Sequence, residues 1–205
     1  MDARTHLNHG IEQLGVTLSD QQMASMLAYL QLIQEWNKAY NLVGTSNTNE
    51  LIEKHLLDSL AIAQHVTACP VLDVGSGAGL PGIPLAIALP DLSFTLLDSN
   101  GKKARFMRQA VLQLKLGNVE IVQTRIEQYE AKIPVKTIIS RAFAPLDKAL
   151  DLLATACMAN TRVQIMLGAR PEQLPQHEDF SHIEVLPICV PGLESQRHLL
   201  IAQRN

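Results

Sequence analysis

A glycine-rich turn and a later aspartate have the spacing of a nucleotide-binding site. Asp73 lies within the apolar run 71–74, and glycines follow at positions 75, 77, 79 and 82. Glycine permits positive φ and lets a ligand approach the backbone closely, and the amides that begin the next helix favour negative charge. A second apolar run ends at Asp98, about 20 residues later, where an acid can accept hydrogen bonds from ribose hydroxyls. The pattern indicates a site for an adenosine-containing cofactor.

Two cofactors fit this turn, and an ordinary strand–helix turn without a ligand is a third interpretation. Gly77, Gly79 and Gly82 match the dinucleotide pattern G-x-G-x-x-G. Asp73 within the turn would repel a pyrophosphate, whereas it suits a cationic amino group. The segment 72–79 resembles motif I of class I S-adenosylmethionine-dependent methyltransferases. In that family the acid lies near the methionine end of the cofactor, and the glycines pack against it.

The acid after the second predicted strand supports either cofactor. NAD and S-adenosylmethionine both contain an adenosine ribose, so Asp98 indicates adenosine without choosing between them. A strand-end aspartate could instead cap the next helix, and Ser99 and Asn100 could do so as well.

Apolar runs and helical patterns alternate after residue 69, which is typical of a parallel, doubly wound sheet. We predict helices at 101–116, with Gly117 as C-cap, and at 146–158. The predicted strands are 71–74, 92–97, 119–123, 135–140, 161–167, and a final hairpin of 183–189 and 197–203. The fold class is therefore α/β, a Rossmann-like sheet that is mostly parallel with an antiparallel last strand. Ligands bind such sheets beyond the carboxyl ends of the strands, where four candidate residues fall: Gly75, Asp98, Ile126 and Arg141.

Residues 1–68 have helical periodicity, so we predict an N-terminal helical extension to a cofactor-binding domain at 69–205, in one compact unit. In a predicted third helix, 50–66, His55 and Asp58 lie one turn apart. They could form a catalytic pair, or they could belong to a hydrogen-bonded helix surface beside the glycine turn.

Composition and cysteine spacing limit the class of protein. The chain has 205 residues, 47% of them hydrophobic, and a formal net charge of −3, so it is not coated with positive charge for nucleic acid. Three cysteines far apart indicate neither a disulfide framework nor a zinc site. We expect a cytoplasmic monomer with no membrane span and no metal, and we interpret His6 and His9 as solvated. One helical pattern carries basic residues that form either an RNA-binding patch or a solvated face: Lys102, Lys103, Arg105 and Arg108.

Seven motifs occur in one order along nearly the whole chain: WNKAYNL at 36–42, His55-x-x-Asp58-Ser59, DVGSGAGLPGIP at 73–84, Leu97-Asp98-Ser99, Arg125-Ile126-Glu127, Ser140-Arg141-Ala142-Phe143 and Arg197-His198-Leu199. Together they resemble the RsmG family of small-subunit ribosomal RNA guanine-N7 methyltransferases, also known as glucose-inhibited division protein B. The resemblance implies a bacterial cytoplasmic enzyme that uses S-adenosylmethionine. It would methylate N7 of the guanosine at position 527, in the 530 loop of 16S rRNA.

The resemblance also implies roles for individual residues. Asp98 would hold the ribose, and Ile126 and Glu127 would meet the adenine. Leu167 stands where the family often has lysine, so an RNA contact there would need another cation, such as Arg162 or Arg170. The predicted cofactor-binding residues are Asp73, Gly75, Gly77, Gly79, Leu80, Asp98, Ile126, Glu127 and Arg141.

Guanine N7 carries an in-plane lone pair, so its methylation needs no general base and depends on positioning. No Asn-Pro-Pro-Tyr follows the fourth strand, as an exocyclic amine would require, and no cysteine is placed to attack a pyrimidine carbon. We predict that Phe143 or Tyr40 stacks on an extruded guanine, although Phe143 could equally pack in the core. Arg141 would hold a phosphate or the cofactor carboxylate, and Arg197 would contact RNA. The alternatives are a methyltransferase for a small molecule or protein, and a non-enzymatic NAD-binding module.

Overall fold

The computed structural model describes residues 2–141 and 144–205. The helices are α1 (Ala3–Gln13), α2 (Asp20–Tyr40), α3 (Thr48–Leu51), α4 (Asp58–Leu60), α5 (Gly82–Ala88), α6 (Gly101–Leu114) and α7 (Leu146–Ala154). The strands are β1 (Val71–Val74), β2 (Phe94–Leu97), β3 (Val119–Val122), β4 (Thr137–Arg141), β5 (Arg162–Leu167), β6 (Phe180–Ile188) and β7 (Arg197–Arg204). A π-helical segment, Ile52–Leu57, joins α3 to α4, and the three pieces are called the 48–60 helix below.

The seven strands form one sheet in the order β3-β2-β1-β4-β5-β7-β6. Strands β1 to β5 are parallel to one another. Strand β7 is antiparallel to both of its neighbours, β5 and β6. The predicted α/β fold, a mostly parallel Rossmann-like sheet with an antiparallel last strand, is confirmed.

Successive side chains of a strand point to opposite faces of the sheet. Both faces therefore carry apolar side chains, and helices cover each of them. Val71 and Leu72 are consecutive residues of β1, and they belong to different hydrophobic clusters. The first cluster joins the N-terminal helices to α5 and α6, with fully buried Tyr29 and Phe106 among its members. The second cluster contains apolar side chains of α7, β5 and β7. The N-terminal helices therefore pack on the same side of the sheet as the helix that follows the glycine turn.

Three predicted helices have different bounds in the structure, and one of them, α7, ends at Ala154 and not at residue 158. Helix α6 ends at Leu114, and its C-cap is Lys115 in the left-handed region (φ 54°), not Gly117. The Lys115 amide donates to the carbonyls of Leu112 and Val111, so the helix is closed before the glycine is reached. The predicted helix 50–66 is instead the 48–60 helix, whose π-helical turn disturbs the regular helical bonding.

His6, interpreted as solvated, is mostly buried in the structure, with 19% of its side chain exposed. His6 Nε2 lies 3.0 Å from Glu53 Oε1, and its Nδ1 lies 3.1 Å from Asn49 Oδ1, so it links α1 to the 48–60 helix. Across residues 2–141 and 144–205, no group of three or more His, Cys, Asp or Glu side chains could hold a metal ion. In the same ranges no helix is both long enough and apolar enough to cross a membrane.

The close approach of α5 to the sheet yields a prediction about Gly82. A Cβ at this position would lie 2.6 Å from Asp73 Oδ2 and 2.8 Å from Leu96 Cγ, both buried. We expect Gly82→Ala to lower the free energy of unfolding by about 1–3 kcal/mol, because the added methyl overpacks the core. Urea unfolding measures this, with Gly44→Ala as control, since no described atom lies within 4 Å of a Cβ there. If Gly82→Ala and Gly44→Ala unfold at the same urea concentration, the close packing of α5 on the sheet at Gly82 is contradicted.

Candidate active site

The parallel register aligns three predicted site residues at the carboxyl edge of the sheet. Val74 pairs with Leu97 on one side and with Ser140 on the other. The residues that follow these three are therefore neighbours across three strands: Gly75, Asp98 and Arg141. The structure brings them together as the strand-end argument predicts.

The glycine turn is built from three residues with positive φ. Gly75, Gly77 and Gly79 have φ values of 72°, 60° and 85°, which residues other than glycine rarely adopt. The Gly75 amide donates to the Leu97 carbonyl at 2.9 Å, and the Gly77 amide donates to Asp98 Oδ2 at 2.8 Å. The turn after β1 is thus anchored on the end of β2 and on its acidic residue.

A buried tyrosine of α2 holds the same turn from below. The Tyr29 hydroxyl donates to the Ala78 carbonyl oxygen at 2.5 Å. Tyr29 is fully buried, and it lies 6.3 Å from Phe106 of α6, ring centre to ring centre. Sequence reasoning missed this residue, because Tyr29 lies in an apolar stripe whose ordinary interpretation is core packing.

Asp73 lies beneath the turn. Its Oδ2 accepts a hydrogen bond from the Gly82 amide at 2.9 Å, which ties the start of α5 to β1. The side chain is fully buried, and this burial raises the pKa of its carboxyl to about 7. Its Oδ1 has no hydrogen-bond partner among the described residues. The contact between Asp73 and the cofactor's amino group stays a prediction.

A cavity of about 400 Å³ opens beside the turn, within the size range of small-molecule sites. Its walls combine apolar side chains with two acids and two cations. Sequence reasoning did not place Lys103 or Leu152 here, since both come from helices and neither lies at a strand end. The lining includes Gly75, Leu97, Asp98, Lys103, Arg125, Ile126, Glu127 and Leu152.

Asp98 is at this cavity and does not cap α6. The N-cap is Asn100, whose Oδ1 accepts from the amides of Lys102 and Lys103. Asp98 is 8% exposed, and its Oδ1 accepts from the Asn100 amide at 2.8 Å. A carboxylate oxygen accepts more than one hydrogen bond, so both oxygens of Asp98 retain capacity for ribose hydroxyls.

These residues fit S-adenosylmethionine. Leu97, Ile126 and Leu152 offer an apolar wall to an adenine, and Asp98 offers acceptors to a ribose. At Gly77 a Cβ would come within 3.8 Å of Lys103 Nζ, so a side chain there would narrow the space between the turn and α6. The Oδ1 of Asp73, unpartnered among the described residues, is a free hydrogen-bond acceptor behind the turn. Leu80 is buried in the first hydrophobic cluster, so its predicted contact with the cofactor also stays a prediction.

A larger cavity, about 770 Å³, lies along β1, β2 and β3. Thr95, Glu120 and Tyr129 are among the residues that line it. The smaller cavity is the better candidate site, because the glycine turn and Asp98 open onto it.

Arg141 contacts the 48–60 helix. Its Nη1 donates to the Lys54 carbonyl at 3.1 Å and to Asp58 Oδ2 at 3.2 Å. Its Nη2 lies 3.4 Å from Nδ1 of His55. Burial, and then the charge of Arg141, lower the pKa of His55 to about 4, so this imidazole is neutral at pH 7. The geometry favours the interpretation of His55 and Asp58 as a hydrogen-bonded helix surface, now with Arg141 as their partner.

The remaining predicted residues lie in different settings. Lys102, Arg105 and Arg108 are exposed on α6, whereas Arg197 donates from Nε to Asp58 Oδ1 at 3.2 Å. Tyr40 is exposed at the end of α2 and stacks on Trp36, with ring centres 5.2 Å apart. Phe143, predicted to stack on the guanine, lies outside the described residues.

Methyltransferases are among the solved structures with a similar architecture. Magnesium protoporphyrin IX methyltransferase from Synechocystis, solved with bound S-adenosylmethionine, has a TM-score of 0.58 at 17% identity over 86% of this chain and 97% of its own. An S-adenosylmethionine-dependent methyltransferase from Aquifex aeolicus has a TM-score of 0.53 at 17% identity, covering 76% and 93%. The strand order, the glycine turn after β1 and the acid after β2 define a class I S-adenosylmethionine-dependent methyltransferase.

Sequence comparison places the chain within that class. The family model described as rRNA small subunit methyltransferase G matches residues 22–200. Proteins named ribosomal RNA small subunit methyltransferase G are 44% identical in Pseudomonas syringae pv. tomato and 45% identical in Stutzerimonas stutzeri, over 97% of this chain and 95% and 94% of theirs. This chain belongs to the rRNA small subunit methyltransferase G family.

The buried carboxyl beneath the turn leads to a prediction about pH. The pKa of Asp73 is higher in the folded protein, about 7, than the 3.8 of an ordinary aspartate. The folded state therefore binds this proton more tightly, and the wild type loses stability as pH rises from about 4 to about 7. Asp73→Asn stays neutral and should remove this loss, which is at most about 4 kcal/mol. Urea unfolding of both proteins at pH 5 and pH 8 measures it. If the free energy of unfolding changes equally in both proteins between pH 5 and pH 8, the buried carboxyl of Asp73 does not titrate as expected.

Proposed function

We propose that this enzyme transfers the methyl group of S-adenosylmethionine to N7 of the guanosine at position 527, in the 530 loop of 16S rRNA. Family membership over nearly the whole chain is the observation that carries the proposal. The geometry of the carboxyl edge agrees with it, because a cofactor cavity and basic side chains lie on adjacent elements. When bound, the cofactor supplies an electrophilic methyl group on its sulfonium sulfur.

Residues of the cavity would bind and orient the cofactor. Asp98 would accept hydrogen bonds from the ribose hydroxyls, and Ile126 and Glu127, which line the same cavity, would meet the adenine. Gly75 leaves its backbone open to the ligand. Arg141 is the last residue of β4 and comes directly after Ser140, which pairs with Val74, so its guanidinium would bind the cofactor carboxylate.

Basic residues would hold the RNA. Helix α6 begins three residues after Asp98, so Lys102 and Lys103 lie close to the cavity, and Arg105 and Arg108 extend the positive surface along the exposed side. Phosphate contacts of this kind position RNA and weaken with salt. Arg197 lies at the start of β7, on the same edge of the sheet.

No side chain needs to remove a proton from the acceptor, because N7 presents a free lone pair. Catalysis then depends on holding N7 in line with the methyl group, and alignment alone supplies a large part of the rate. Tyr40 or Phe143 would stack on the extruded base. Tyr40 supports this role by its exposed ring and its stacking on Trp36, which fixes the ring plane.

The direct test uses S-adenosylmethionine labelled on its methyl group. We expect label in 7-methylguanosine from the 530 loop when the protein is incubated with small ribosomal subunits from cells that lack the enzyme. Naked 16S rRNA in a parallel reaction distinguishes free RNA from the assembled particle as the substrate. Cofactor binding without label in any RNA would reject the proposal and favour a small-molecule or protein acceptor.

Arg141→Ala should abolish transfer without unfolding the protein. The alanine removes the guanidinium that contacts Asp58 at the carboxyl edge, whereas Asp58 keeps its bond to Arg197. We expect the rate to fall by about 100-fold or more, as misplacement of a reactant does. The labelled-methyl assay measures the rate, and circular dichroism checks the fold. Arg4→Ala is the control, because Arg4 pairs on the surface with exposed Asp20. If Arg141→Ala transfers the methyl group at the wild-type rate, Arg141 has no role in the active site.

A further inference from the structure

One buried carboxylate lies between two arginines at the carboxyl edge of the sheet. Asp58 is 4% exposed. Its Oδ2 accepts from Arg141 Nη1, and its Oδ1 accepts from Arg197 Nε, both at 3.2 Å. Each carboxylate oxygen therefore holds a different guanidinium group.

The two arginines come from strands that do not touch. Arg141 ends β4 and Arg197 begins β7, and β5 lies between them. Neighbouring strands are about 4.8 Å apart, so the two backbones are separated by about 10 Å. Their guanidinium groups nevertheless meet at one carboxylate, where their like charges repel each other and the negative charge of Asp58 offsets the repulsion.

The π-helical turn of the 48–60 helix shapes this contact. In a regular α-helix the Asp58 amide would donate to the Lys54 carbonyl. Here it donates to the carbonyls of Glu53 and His55, and the Lys54 carbonyl accepts from Arg141 Nη1. Neutral His55 adds an acceptor, Nδ1, on the other side of the guanidinium. The helix thus presents three acceptors to Arg141 within one turn.

Arg197, like Arg141, makes three hydrogen bonds. Its Nη1 donates to Ser195 Oγ and to the Gln196 carbonyl, both at 2.9 Å, in addition to the bond from Nε to Asp58. Its Nη2 makes no hydrogen bond within the described part of the chain. About one quarter of the Arg197 side chain and one fifth of Arg141 are exposed (23% and 21%), so both guanidinium groups can reach a ligand at this edge.

We propose that Asp58 is a positioning residue for both halves of the active site. Its carboxylate holds Arg141 toward the cofactor and Arg197 toward an RNA phosphate, so one side chain sets the geometry of the two binding surfaces. The assignment of the two ligands rests on the proposed function. Asp58 itself contacts neither the cofactor nor the RNA.

A double-mutant cycle tests this, because a residue that acts through another has no effect once that other residue is gone. The variants are Asp58→Asn, Arg141→Ala and Arg197→Ala, with the two double variants that contain Asp58→Asn. Calorimetry gives the dissociation constant of S-adenosylmethionine. Initial rates against the concentration of small ribosomal subunits give KM and kcat.

We expect Asp58→Asn to raise the cofactor dissociation constant about tenfold in the wild-type background and less than about twofold in Arg141→Ala. It should raise KM for the subunits about tenfold in the wild-type background and leave KM nearly unchanged in Arg197→Ala. Asp58→Glu keeps the negative charge and should recover part of both losses. Glu50→Gln is the control, since Glu50 lies on the same helix and pairs with exposed Lys54.

Additive effects in both backgrounds would overturn the inference, because Asp58 would then act on stability alone. Wild-type constants in Asp58→Asn would overturn it as well, and so would an Asp58→Glu variant that folds like the wild type but binds as weakly as Asp58→Asn. The cofactor measurement does not require RNA. If wild-type protein binds the cofactor but methylates no rRNA, the proposed function fails, and the RNA half of this inference fails with it.

Discussion

The parallel register of β1 with β2 and β4 determines the geometry of the whole site. It aligns Leu97, Val74 and Ser140, so the residues that follow them, Asp98, Gly75 and Arg141, lie next to one another at the carboxyl edge. The cofactor cavity opens against this row, with the glycine turn on one side and Ile126 on another. Because main-chain hydrogen bonds fix the register, the spacing of these residues does not depend on flexible side chains.

Two buried aspartates stabilise the elements around that row, each in a different way. Asp73 binds the first amide of α5 and lies in a wholly buried setting that raises the pKa of its carboxyl. Asp58 lies between two guanidinium groups, and they oppose the rise in its pKa that burial causes. The first carboxylate secures the fold beneath the turn, whereas the second secures the arginines beside it. Removing one partner of a buried ion pair generally costs more than the pair contributes, which makes Asp58 and its two arginines sensitive to substitution.

The N-terminal helices contact the active site as well as covering the sheet. Tyr29 of α2 supports the glycine turn through the Ala78 carbonyl, and the π-helical turn of the 48–60 helix supplies acceptors to Arg141. The segment that precedes β1 therefore contributes to both sides of the site. Deviations from regular helical bonding of this kind are frequent at functional sites.

The sequence by itself determined the features that depend on local pattern. Alternating apolar runs predicted the sheet and its class, the glycines predicted the turn, and the position of Asp98 after β2 predicted the ribose site. These predictions rest on neighbours within a few residues, and local backbone preferences decide them. The tertiary structure alone decided which side chains meet from distant parts of the chain. Asp58 and Arg197 are 139 residues apart in sequence, and no periodicity links them. The packing of α5 against β1 likewise decided that Asp73 is fully buried and accepts from the Gly82 amide, which no local pattern indicates. Such contacts follow from how elements pack against each other, and a single sequence does not encode that packing in any local pattern.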